Sequence, residues 1–187
     1  MIRRKVVSVL FALCLFTAPA FAAKVEGVRF PDKIQIAGQD LVFNGGGKRS
    51  FYGIGVYVAG LYLQHKSGDG AKIVDADAPM DVRLQVTSLM VTQDNMKSGF
   101  LESFKKTATV NPVPLKSKID TFVSCFNGLK NHDVYNFAYI PGKGVEVSRN
   151  DKVLTIIQGV DFKKALFGIW LGPKPAQSDL KDRMLGK

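Results

Sequence analysis

Residues 41–63 read LVFNGGGKRSFYGIGVYVAGLYL. The second half, residues 51–63, is rich in Val, Ile and Tyr. These types suit a pleated surface, so the stretch predicts a long strand. Asn44 and the glycines at 45–47 predict a turn before it, because glycine adopts backbone angles that other residues resist. In an extended strand, residues an even number apart share a face. If no bulge intervenes, Arg49, Phe51, Tyr57 and Leu61 line one face, and Tyr52, Ile54, Val56 and Tyr62 the other.

Upstream, residues 34–43 alternate apolar and polar around Gly38-Gln39-Asp40, a hairpin pattern, and residues 25–30 predict a first strand. Downstream, residues 82–90 predict another strand. The period then changes. Met96, Phe100 and Phe104 recur at every fourth position with Leu101 beside them, so an amphipathic helix starts near Thr92, its candidate N-cap. Asn111, Pro112 and Pro114 end it. Leu115, Ile119, Phe122, Val123, Phe126 and Leu129 mark a second helix. A strand meander follows over residues 134–140, 144–148 and 153–159. Asp161 is a candidate cap for a helix through Trp170, and Ser178 for a short last helix closed by Gly186. Strands and helices segregated in this way predict an α+β domain, an antiparallel sheet with helices packed on one face.

The chain has 187 residues, and its first 22 are laid out as an export signal. Arg3, Arg4 and Lys5 precede an uncharged, mostly apolar run, and Ala20-Phe21-Ala22 fits a cleavage site. The run is shorter than the roughly 20 residues a membrane span needs. Residues 1–22 are therefore expected to be a signal peptide, and residues 23–187 one soluble domain in the periplasm. Cys14 would leave with the signal, so the mature chain keeps Cys125 alone and cannot form an internal disulfide or a cysteine metal cluster. Three of the 26 basic residues and none of the 16 acidic ones fall in the signal, which leaves a charge of +7. The lysines are scattered, with no arginine-rich stripe interleaved with aromatics. Solubility or attraction to anionic lipid surfaces accounts for that charge better than nucleic acid does.

Residues 41–50, running into GVYVAGLYL at 55–63, resemble the chalcone isomerase-like family. ALFGIWLG at 165–172 and SDLKDRMLG at 178–186 resemble the C-terminal signature of its exported bacterial branch. The resemblance implies an open-faced β-sandwich, in which a large antiparallel sheet is covered by helices and a ligand cleft lies between the layers. It also implies that Arg49 meets an oxygen anion, which a guanidinium holds through paired charge-assisted hydrogen bonds. The fatty-acid-binding branch pairs its arginine with a tyrosine, and strand parity selects Tyr57. Tyr52 falls where plant isomerases carry a catalytic threonine. The family's catalytic tyrosine and asparagine fall near Met96 and Ser103, and a further threonine falls at Ile169, followed by Trp170.

On that resemblance the arginine is kept while polar partners give way to apolar residues. The expected ligand site comprises Arg49, Tyr57, Tyr52, Met96, Phe100, Ile169 and Trp170, without metal or cofactor. It suits a small amphipathic anion such as a fatty acid, bound without catalysis. An intramolecular lyase of the chalcone isomerase type, with Arg49 orienting the attacking oxyanion, is a second expectation. A domain that docks envelope proteins is a third. His65 and His132 are the only histidines and lie far apart in sequence, and Lys48-Arg49 lacks the spacing of a phosphate loop.

Overall fold

Pairs of residues with positive φ mark the chain's reversals. Glu26 and Gly27 (47° and 86°), Ala37 and Gly38 (50° and 77°), and Asn150 and Asp151 (50° and 63°) each join two antiparallel strands. Two successive positive φ values give the turn whose twist matches that of paired strands. The computed structural model describes residues 22–51, 53–107 and 115–187. The export signal expected at 1–22 lies almost wholly outside these residues, as does Tyr52.

β1 (Ala22–Val25) and β2 (Val28–Pro31) form a hairpin of their own, where the sequence predicted one strand. The main sheet is a seven-stranded antiparallel meander. Its strands are β3 (Lys33–Ile36), β4 (Gln39–Phe51), β5 (Ile54–Leu63), β6 (Met80–Val86), β7 (Val134–Ile140), β8 (Gly144–Arg149) and β9 (Lys152–Ile157). Every strand pairs with its neighbour in sequence. Helices α2 (Gln93–Thr107), α3 (Lys116–Ser124) and α4 (Val160–Leu171) pack on one face, with the short α1 (Gly70–Asp75) and α5 (Ser178–Met184) beside them. This is the expected α+β, open-faced β-sandwich architecture. The β1–β2 hairpin covers part of the opposite face, where Val28 and Phe30 meet Leu41, Val58 and Tyr62.

The core lies between sheet and helices. Phe100, Phe122, Phe126, Phe137 and Trp170 pack there in stacked and edge-on pairs. Burying each such ring contributes roughly 1.5–3 kcal/mol. The helical spacing of Met96, Phe100 and Phe104 is thus a buried face, and Thr92 caps α2 as expected, its Oγ1 accepting from Asn95 N at 3.2 Å.

Several expectations are corrected. Gly45, Gly46 and Gly47 form no turn; they lie inside β4, paired with Leu61, Gly60 and Ala59. The reversal comes later, between Phe51 and Ile54. The glycines serve close approach instead. A Cβ at Gly45 would collide with the Arg183 carbonyl oxygen, and one at Gly47 would lie 2.9 Å from Arg183 Cδ. The strip of bare backbone is the seat of α5. Asn44 bulges out of β4 just before it, and its amide donates to Met184 O (2.7 Å) and Ser67 O (3.0 Å). Strand β6 ends at Val86, so Leu89 and Met90 stand in a turn rather than a strand. Helix α4 starts at Val160 after Gly159, with Asp161 inside its first turn bound to Lys118 at 2.7 Å. Gln177, not Ser178, occupies the N-cap position of α5.

Candidate functional site

A cavity of about 390 Å³ opens between α2 and the first strands of the sheet. That size is at the small end of ligand pockets. Arg49, Val56, Tyr57 and Ile169 line its sheet and α4 side, and Met96, Phe100 and Ser103 its α2 side. Phe51, Ile54 and Met90 stand at its mouth, 55%, 44% and 67% exposed.

β4 and β5 bring the two central residues together. Arg49 and Tyr57 are cross-strand partners, so their side chains leave the sheet on the same face. They share a face as expected, but across a hairpin and a bulge rather than along one unbroken strand. A bulge follows at once, because Arg49 opposes Tyr57 while Ser50 opposes Gly55. Val56 is the extra residue. The bulge turns Val56 into the cavity wall, against the parity expectation that set Val56 and Ile54 on the other face.

Arg49 is held by its own strand and by Gln177. Its Nη1 donates to Ser50 O at 2.5 Å and to Gln177 Oε1 at 3.0 Å. Gln177 Oε1 also accepts from Ser50 N (2.9 Å), and its Nε2 donates to Lys48 O (3.1 Å). One amide thus clamps three consecutive residues of β4. Among the described residues Arg49 makes no ion pair, and its remaining N–H groups find no acceptor. Sequence reasoning missed Gln177, because most of its partners are main-chain atoms that no side-chain motif reports.

Tyr57 is buried. Its hydroxyl accepts a hydrogen bond from Trp170 Nε1 at 3.1 Å. An indole N–H can only donate. The phenol proton therefore remains available, and among the described residues nothing accepts it. Burial raises the Tyr57 pKa, while the Trp170 hydrogen bond and the Arg49 charge pull it down. The hydroxyl stays protonated near neutral pH, as a donor beside a cation.

Of the other expected site residues, Met96, Phe100 and Ile169 line the cavity and also belong to the core. Trp170 does not line it. The ring is 1% exposed behind Tyr57, stacked on Phe137 at 5.9 Å, and meets the cavity lining through the phenol and through Phe100, edge-on at 5.9 Å. Ser103 lines the wall, but its hydroxyl donates to Gly99 O at 2.7 Å within α2. Asn95, Glu102 and Lys106 are additional polar residues of that wall. Among the described residues no group of three or more His, Cys, Asp or Glu gathers to hold a metal. Cys125 is buried, and its burial pushes the thiol up to about 11, which suits packing rather than nucleophilic attack.

The arrangement sets the Arg49 guanidinium beside the neutral Tyr57 hydroxyl at a largely apolar cavity, with Lys106 and Glu102 on the α2 wall. No curated protein sequence matches the chain. The crystal structure of a fatty-acid binding protein from Arabidopsis thaliana superposes with a TM-score of 0.73, at 16% identity, covering 88% of this chain and 96% of that one. That likeness establishes the fold. The family model for chalcone isomerase-like proteins matches residues 22–186, so the chain belongs to the chalcone isomerase-like family.

Proposed function

We propose that the protein binds a small amphipathic anion, fatty-acid-like, with its head on Arg49 and Tyr57 and its tail along Met96, Phe100 and Ile169. The observation that carries this reading is the cross-strand pairing of Arg49 and Tyr57, each with a donor to spare, at a largely apolar cavity. Among the described residues Arg49 lacks a carboxylate partner, and the Tyr57 proton is left free to donate because Trp170 bonds to its oxygen. A carboxylate accepts from both and leaves its hydrocarbon tail among apolar side chains. The fatty-acid binding described for the plant structural neighbour is consistent with this ligand class.

The role is binding without conversion. Closing a chalcone-type ring calls for donors placed at a developing enolate. At the positions matched to the isomerases' polar residues, Met96 and Ile169 supply none, and the Ser103 hydroxyl is engaged within its own helix. Residues 1–22 direct the domain to the periplasm, so the mature chain begins at Ala23.

Purified protein should carry fatty acids detectable by solvent extraction and mass spectrometry, and Arg49→Ala should lower fatty-acid affinity by about tenfold or more. An empty protein whose affinity is indifferent to Arg49→Ala would refute the binding reading. Chalcone turnover above the buffer rate, lost in Arg49→Ala, would instead favour the intramolecular lyase. Amino-terminal sequencing of the periplasmic fraction tests the export step.

A further inference from the structure

The mouth of the cavity is built from two turns, one between β4 and β5 and one between β6 and α2. They are tied together, since Thr87 N donates to Val56 O at 3.2 Å. The second turn is tight. Ser88 Oγ accepts from Met90 N at 3.1 Å, and Ser88 O from Val91 N at 3.4 Å. These bonds present Leu89 and Met90 at the tip, 88% and 67% exposed. Ile54 and Phe51, at 44% and 55%, stand on the first turn. Turn tips are ordinarily polar. Here three large apolar side chains, Phe51, Ile54 and Met90, line a single opening, with the exposed Leu89 next to Met90 at the turn's tip.

We propose that this rim docks on an anionic lipid bilayer. Three observations select that occupant. The apolar side chains sit on protruding turns, a shape that enters a soft interface rather than a flat protein face. The charge around them is basic. Arg49 and Lys106 line the cavity against the single carboxylate of Glu102, Lys48 on β4 is paired with Glu26, and residues 22–187 carry +7 overall. Anionic surfaces attract such charge, and apolar insertion adds to it. The apolar lining is also continuous, from Met90 and Ile54 at the rim to Val56 and Ile169 inside. A hydrocarbon tail can thus pass between bilayer and cavity without crossing water. Docking rests on the exposed rim and the basic charge, so it stands whether or not the cavity holds a fatty acid.

The test is co-sedimentation of the purified protein with vesicles free of fatty acid. One set is phosphatidylcholine alone, the other equal parts phosphatidylcholine and phosphatidylglycerol. The wild type is expected to bind the anionic set more tightly and to weaken as salt is raised. Leu89→Ser combined with Met90→Ser should reduce that binding at least about tenfold. Because both side chains are exposed, the melting temperature should hold, which separates lost docking from lost fold. Failure of the wild type to bind anionic vesicles overturns the proposal, as does unchanged binding by the double variant. A wild type that ignores vesicles and forms a dimer abolished by the same substitutions would assign the rim to a second copy, which also overturns it.

Discussion

Tyr57 accepts a hydrogen bond from one neighbour and keeps a proton for another. The two roles separate on substitution. Tyr57→Phe removes the donor facing the cavity and leaves the Trp170 N–H buried without an acceptor. It is expected to weaken anion binding and to lower stability by about 1–3 kcal/mol, read by isothermal titration and urea unfolding. Lys163 poses the complementary case of a buried cation with no carboxylate bonded to it. Its Nζ donates to Ile73 O (3.2 Å), Val74 O (2.6 Å) and Ala76 O (2.6 Å), and lies 5.1 Å from the Tyr139 ring centroid. These are carbonyls at the C-terminal end of α1, where a helix favours positive charge. Lys163→Met keeps the bulk and strands the carbonyls. Unfolding free energy should fall by about 2–4 kcal/mol, with the ligand affinity of the folded protein unchanged.

At the scale of elements, the glycines of β4 and the glycine of α2 make opposite predictions. Gly46→Ala would bring a Cβ to 2.6 Å from Ala59 O, a backbone atom that cannot step aside. A loss of about 1–3 kcal/mol is expected in thermal unfolding. Gly99 lies mid-helix with nothing within 4 Å of an added Cβ, and it faces the cavity. Gly99→Ala should stabilise by up to about 1 kcal/mol, since glycine is the weaker helix former, while narrowing the cavity and lowering ligand affinity. These two sites also show what the sequence could reveal. The apolar faces of α2 and α3 were legible because period 3.6 is written in side chains. Arg49 and Tyr57 share a face for a reason the parity count did not hold: the register of the hairpin alone would set Arg49 opposite Val56, and the extra residue of the bulge restores Tyr57. The glycine run was misread as a turn, because what demands a bare backbone there is α5, more than 130 residues downstream. The bulge at Val56 was invisible for a related reason: it is a relation between two strands, and neither strand encodes it alone.

The whole molecule carries a pH dependence on the face away from the cavity. Asp81 in β6 is fully buried, and neither carboxylate oxygen has a hydrogen-bond partner among the described residues. Burial pushes its pKa up to about 7, with Arg83 and the Phe137 backbone pulling the other way. A carboxyl that holds its proton more tightly when folded stabilises the fold at low pH, and that contribution is lost as pH rises through about 7. Asp81→Asn should therefore flatten the stability profile between pH 4 and 8 and gain most at the alkaline end, as measured by urea unfolding across that range. The sheet tolerates this charge while the opposite face serves the ligand, so one layer separates a stability element from a binding element. On the cavity side of that layer lies Trp170, the chain's single tryptophan, bonded to the phenol that meets the cavity. All indole emission from this protein thus originates one hydrogen bond from the proposed head-group position. The molecule contains its own optical gauge of occupancy, in which ligand arrival should change the fluorescence yield and Trp170→Phe is the dark control.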